Sequence, residues 1–114
     1  MPVSHSHTYS NGTHTWFVRD LHRLSEELPI VQKKLSDFKE WDEAVWDQEL
    51  TIRQFAEHMK RVQDADLKYP ILLSEDGWIM DGAHRLVKAF FLGWVEIPTR
   101  QFKTNPPPSD IKSP

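Results

Sequence analysis

Cysteine is absent from the chain, so disulfides, zinc–thiolate centres and thiol catalysis are excluded. No apolar run approaches the roughly 18 residues that a membrane-spanning helix needs, and no membrane partner is expected. The first 15 residues, MPVSHSHTYSNGTHT, lack the apolar stretch of a secretory signal, so the expected location is cytoplasmic. An excess of basic charge is missing too. Fourteen Lys and Arg stand against seventeen Asp and Glu, a net charge of −3. Duplex-DNA binders carry a basic surface, so duplex DNA is not expected as a partner.

What is present fits one small globular domain. The chain has 114 residues, of which 39% are hydrophobic and 11% aromatic, including five Trp. That is too apolar for a disordered chain and long enough for one modest core. Residues 1–15 are polar and read as a flexible arm, and residues 104–114 (TNPPPSDIKSP) read as a Pro-rich tail. The domain is expected within 16–103.

Phe17, Val18, Leu21 and Leu24 have helical spacing and end before Pro29. Pro29 and the pair Ile30-Val31 favour a strand at a sheet edge. Residues 37–49 are acidic and stay unassigned. Thr51 and Gln54 have capping-box spacing ahead of a helix over 51–65, with Ile52, Phe55, Ala56, Met59 and Val62 as one apolar stripe. PILLS at 70–74 and WIMD at 78–81 read as two strands joined at Asp76-Gly77 by a type I′ turn. A helix follows Gly82, with Ala83, Leu86, Val87, Phe90, Phe91 and Trp94 on one face and Gly93 at its end. VEIPTRQF at 95–102 is a last strand, its Pro98 marking an edge or an end. The expectation is an α+β fold, a mixed sheet with helices packed on it.

The chemistry converges on Met80-Asp81-Gly82-Ala83-His84-Arg85, where a strand ends and a helix begins. The first helical turn presents N–H groups without internal partners, and the macrodipole adds positive potential, which suits phosphate. Gly82 admits close approach of a ligand to the backbone. Gly82, Ala83, His84, Arg85 and Lys88 are the candidate binding residues, and Asp81, His84 and Arg85 the candidate catalytic ones. Asp81 is the candidate Mg²⁺ ligand or acceptor of a hydroxyl proton. Arg85 can grip phosphate with its planar fork, and Lys88 lies one helical turn beyond His84. The plain alternative is structural: Asp81 as the helix N-cap, Arg85 paired with a carboxylate, and His84 hydrogen-bonded in the core.

The stretch PILLSEDGWIMDGAHRLVKAFFLGWVEIP, continuing to Phe102, resembles the core of the ParB/sulfiredoxin superfamily. The resemblance covers about a third of the chain well and extends weakly to the strand at 29–35. It implies a small domain of that type that handles a nucleotide or phosphate at the Gly82 turn. Sulfiredoxins carry a catalytic Cys where this chain has Ala83, so that activity is excluded. ParB partition proteins bind CTP and Mg²⁺ and add a helix-turn-helix domain, for which this chain has no room. The free-serine kinase branch has a D-G-x-H-R turn that Asp81, His84 and Arg85 match. Its carboxylate base near the first strand has no clear counterpart here; Asp37 and Glu40 lie in the right region, and the base within 37–43 stays open. The chain is also shorter than those kinases and lacks their substrate-binding segment.

Other residues carry weaker signals. His5, His7 and His14 form an H-x-H pair plus one on the arm. His58, beside the apolar stripe, reads as a half-buried hydrogen-bonded side chain, and His22, among Arg19, Asp20 and Arg23, as part of a solvated face. Asp64 and Asp66 read as a solvated helix end, with a role in holding Mg²⁺ as the alternative, and Lys60 and Arg61 as steering charges. The Trp residues read as core, with Trp78 as the exposed exception and Trp41 and Trp46 as a partner patch in a binding module.

Two functions remain. One is a protein that binds a nucleotide such as ATP, ADP or CTP, or a phosphorylated small molecule, with Mg²⁺-dependent hydrolysis or small-molecule phosphorylation as its reaction. The other is a non-catalytic regulatory or protein-interaction module that keeps the fold. Nuclease activity is disfavoured by the charge and by the lack of a carboxylate cluster.

Overall fold

The computed structural model describes residues 8–43 and 49–109. Among these residues, six strands and three helices follow in the order β1 (Thr8–Ser10), β2 (Thr15–Phe17), α1 (Val18–Leu24), β3 (Val31–Lys34), α2 (Ile52–Asp64), β4 (Ile71–Leu73), β5 (Ile79–Asp81), α3 (Ala83–Phe91) and β6 (Glu96–Gln101). A 3₁₀ turn, Leu35–Asp37, follows β3. The architecture is α+β, as the sequence predicts.

The main sheet is mixed, in the order β3-β6-β4-β5. β3 runs antiparallel to β6, β6 parallel to β4, and β4 antiparallel to β5. Side chains of β4 alternate across the sheet, as a pleat requires. Ile71 and Leu73 join Leu35, Phe38, Leu86, Ala89 and Ile97 on one face. Leu72 joins Trp16, Leu21, Met80 and Phe102 on the other. The first face is covered by α3 and the 3₁₀ turn, the second by α1 and the β1–β2 hairpin. None of the helices in the described residues is long and apolar enough to cross a membrane.

β3 lies at the sheet edge, as Pro29 and its neighbours suggest. β6 instead lies between β3 and β4. Pro98 is tolerated there because β4 pairing begins one residue later, at Thr99, so Pro98 has a ladder neighbour on one side only. The capping box forms as read: Thr51 Oγ1 accepts from Gln54 N at 3.1 Å, and Thr51 N donates to Gln54 Oε1 at 2.9 Å.

Several expectations are corrected. Residues 8–15 of the arm belong to a hairpin: Tyr9 pairs with Trp16 across β1 and β2, and Asn11 Oδ1 accepts from the amides of Thr13 and His14 in its turn. Each strand turns one large aromatic inward, too short a pattern to stand out from a polar sequence. Tail residues Pro106 and Ser109 are docked on the domain. Trp16 Nε1 donates to Pro106 O at 2.9 Å, and Ser109 bonds both to Thr15–Phe17 backbone and to Asp20.

The β4–β5 turn is not type I′. Among Asp76 and Gly77 only Gly77 has positive φ, 89°. Gly77 N donates to Ser74 O and Ser74 N to Trp78 O, which is a type I turn closed by a glycine bulge.

The apolar stripe of α2 is not core. Val62 is 6% exposed, but Ile52 is 90% and Phe55 57% exposed. α2 packs on α3 rather than on the sheet, and only its C-terminal half finds cover. On α3, likewise, Leu86 and Ala89 are buried whereas Phe90 and Phe91 face outward, because the sheet covers one narrow stripe.

Candidate functional site

The β5-to-α3 junction is built by two local irregularities. Leu73 pairs with Ile79 and Leu72 with Asp81, so three residues of β5 oppose two of β4. Such a bulge re-aims the side chains around it, here Asp81. Gly82 then adopts φ 117° as the N-cap of α3. A Cβ at this position would lie 2.9 Å from Ile71 Cγ1 and 3.3 Å from Ile71 Cα, so the residue is glycine for both conformation and space. Gly82 O accepts from Arg85 N and Leu86 N, which starts the helix. The N-cap is therefore Gly82 and not Asp81.

Asp81 holds two side chains together. His22 Nε2, from the last turn of α1, lies 2.8 Å from Asp81 Oδ2, and the carboxylate accepts the imidazole proton. Arg85 Nη2 donates to the same oxygen at 3.1 Å, while its Nη1 donates to Pro70 O at 3.0 Å. The Asp81 and Arg85 side chains are only 12% and 15% exposed. The Arg85 fork is therefore filled by protein acceptors, which fits the plain alternative better than a guanidinium waiting for phosphate.

His84 turns the other way. Its Nε2 lies 2.8 Å from His58 Nδ1 on α2. His58 is thus half-buried and hydrogen-bonded, as its sequence position suggests. Lys88, one helical turn beyond His84, points its amine at the end of α2. Its Nζ donates to Gln63 O at 2.8 Å and Ala65 O at 2.7 Å, satisfying carbonyls that the C-terminus of α2 leaves over. Ala83 is half-buried as the first residue of α3.

The remaining candidates scatter. Asp64 and Asp66 lie at the C-terminal end of α2, where Asp66 Oδ1 accepts from Lys68 N. Lys60 and Arg61 are exposed on α2, and Asp37 is exposed in the 3₁₀ turn. Glu40 Oε2 accepts from Ile79 N at 2.6 Å, so this carboxylate occupies the open edge of β5. Its Oε1 is buried without a hydrogen-bond partner. Burial, and then the nearby Glu40 charge, push the Tyr9 phenol above its usual range. Trp41 packs on the core and meets Phe90 edge-on, while Trp78 is exposed with Lys39 Nζ over its ring. His14 lies edge-on to Trp16. His5, His7 and Trp46 lie outside the described residues.

Among the described residues, no group of three or more His, Asp or Glu side chains converges on a point where a metal would sit. Mg²⁺ prefers several hard oxygen ligands, whereas Asp81 already faces a guanidinium at 3.1 Å. The described donor set does not fit a protein-held Mg²⁺ at Asp81.

The residue that sequence reasoning missed is His22. It comes from a helix 59 positions away and looks like one more polar residue in a charged run, so no local pattern marks it. Compared with protein-family models, curated proteins and solved structures, the chain matches none.

Proposed function

We propose that the α3 N-terminus binds a phosphate-bearing small molecule, with a nucleotide such as ATP, ADP or CTP as the ligand class. The observation that carries this reading is Gly82. Its left-handed conformation and contact with Ile71 fix a tight strand-to-helix turn at the start of a nine-residue helix. Leading amides of such a helix favour anions, and the dipole adds to them. The likeness of the D-G-x-H-R turn to the ParB/sulfiredoxin superfamily supports the same reading.

In this reading the roles of the candidate residues shift. Amides at Gly82 and Ala83 face the phosphate, and the His84 imidazole borders it. Asp81 and Arg85 are positioning residues that hold the turn and His22 in place. Phosphoryl transfer or nucleotide hydrolysis is the reaction proposed, with charge on the moving phosphoryl group stabilised by the helix terminus.

The deciding test is Ala83→Glu, in a thermal-shift screen against ATP, ADP, CTP and GTP, each with and without Mg²⁺. A carboxylate in the first turn suits the helix dipole, so the unliganded melting temperature is maintained, but it repels phosphate. Wild type should be stabilised by one of the nucleotides and the variant by none of them. No shift in the wild type with any nucleotide overturns the reading.

A second reading, a protein-interaction module, is favoured by the exposed apolar side chains Ile52, Phe55 and Met59 along α2. It predicts no nucleotide shift and a partner lost on Phe55→Lys.

A further inference from the structure

His58 and His84 come from two different helices and aim ring nitrogens at each other. The nitrogens are 2.8 Å apart, the ring centroids 5.1 Å, and the ring planes differ by 28°. Centroids that far apart with nitrogens that close mean that the rings meet edge to edge, along their lone-pair and N–H directions. Each neutral imidazole carries one N–H and one lone pair. In the contact as it stands, one ring donates its proton to the other's lone pair. Moving that proton to the donor ring's second nitrogen leaves two lone pairs pointed at one place, with no change in net charge.

We propose that this pair is a binding site for a late first-row divalent ion, of the class Cu²⁺, Ni²⁺ or Zn²⁺, with solvent completing the coordination. Imidazole nitrogen is a preferred ligand for these ions, and neutral imidazole needs no charge partner to bind them. Two Zn–N bonds of ordinary length at a tetrahedral angle set the nitrogens about 3.3 Å apart, so the rings must separate by about half an ångström and each must swing by about 35° from its head-on line to aim at the ion. The site is distinct from Asp81, and hard Mg²⁺ is not its ion.

Both basic side chains of α3 near His84 are held elsewhere: Arg85 by Asp81 and Pro70 O, and Lys88 by Gln63 O and Ala65 O. The Lys88 bonds also tie α2 to α3 independently of the histidines, so the two rings are presented by helices already fixed to each other. The capping box at Thr51 fixes the start of α2. Such preorganisation lowers the ordering cost of binding.

The test is titration of the full chain, stripped with chelator, with Cu²⁺, Ni²⁺ and Zn²⁺ chlorides by calorimetry. Cu²⁺ electron paramagnetic resonance reports the ligands directly. Wild type is expected to take up one ion with a two-nitrogen hyperfine pattern. His58→Gln and His84→Gln are each expected to weaken binding at least tenfold. A variant with His5, His7 and His14 replaced by Asn is expected to bind as wild type does. Failure of one Gln variant to fold leaves the other variant and the wild-type spectrum to decide. Absence of binding in wild type, retention of it in both Gln variants, or its loss in the arm variant overturns the proposal.

Discussion

His22 and Asp81 are 59 positions apart in sequence and 2.8 Å apart in space, and Arg85 reaches the same carboxylate oxygen at 3.1 Å. One oxygen thus ties α1, the end of β5 and the first turn of α3. Asp81→Asn removes the charge while keeping the shape. It leaves the 15%-exposed Arg85 without its anion, and a loss of about 2 kcal/mol is expected in urea unfolding, as for removal of one partner of a largely buried pair. His22→Ala should cost less, about 1 kcal/mol, because its ring is more exposed. An unchanged urea midpoint for Asp81→Asn would mean that the clamp does not hold.

Arg85 bridges two acceptors that no lysine can reach together with equal geometry. Arg85→Ala and Arg85→Lys should both lower stability, the alanine variant by about 2 kcal/mol. Calorimetric melting in the absence of any ligand checks this. Equal melting temperatures for wild type and Arg85→Ala would return the guanidinium to the role of a ligand-gripping group.

Gly82→Ala meets two penalties together, φ of 117° and a Cβ 2.9 Å from Ile71. A loss of about 2 kcal/mol or more is expected. At Gly93 a Cβ would meet nothing within 4 Å, and only the φ of 84° would be offended, so Gly93→Ala should cost less. The ordering of the two variants in a denaturant series is the readout.

Two substitutions on α2 separate its covered end from its bare end. Val62→Ala opens space beneath a 6%-exposed side chain and should cost about 1–2 kcal/mol. Ile52→Gln, at 90% exposure, should change stability by less than about 0.5 kcal/mol. A large loss at Ile52 would reveal that something covers it in solution.

Tyr9 gives a pH dependence of known sign. Burial first, and Glu40 second, raise its phenol above the usual 10.0. A raised folded pKa means that the neutral phenol is favoured by folding. Its contribution is complete below pH 10.0 and is lost as pH rises through the folded value. Tyr9→Phe should flatten that alkaline fall in stability. Phenolate absorbance of the wild type should resolve Tyr9 titrating above its normal range, and a Tyr9 phenol titrating in the usual range would contradict the burial.

Local signals in the sequence were legible where local physics decides them. The capping box at Thr51 and Gln54, the edge position of β3, the turn at Gly82 and the helix after it follow from spacing and from glycine and proline chemistry. The β1–β2 hairpin was hidden because three-residue strands bear one inward side chain each. The type of the β4–β5 turn was misread because Asp76-Gly77 suits two turn types, and only the pairing of Ser74 with Trp78 selects between them.

The sequence by itself determined the α+β class, the positions of most elements and the glycine at the strand-to-helix turn, because these depend on neighbours within a few residues. The tertiary structure alone decided which charges meet. It put His22 on Asp81, His58 on His84 and Lys88 on the end of α2, and it left Ile52 and Phe55 bare. A periodic pattern states that a side chain prefers cover, whereas the arrangement of the packed elements states whether cover is there.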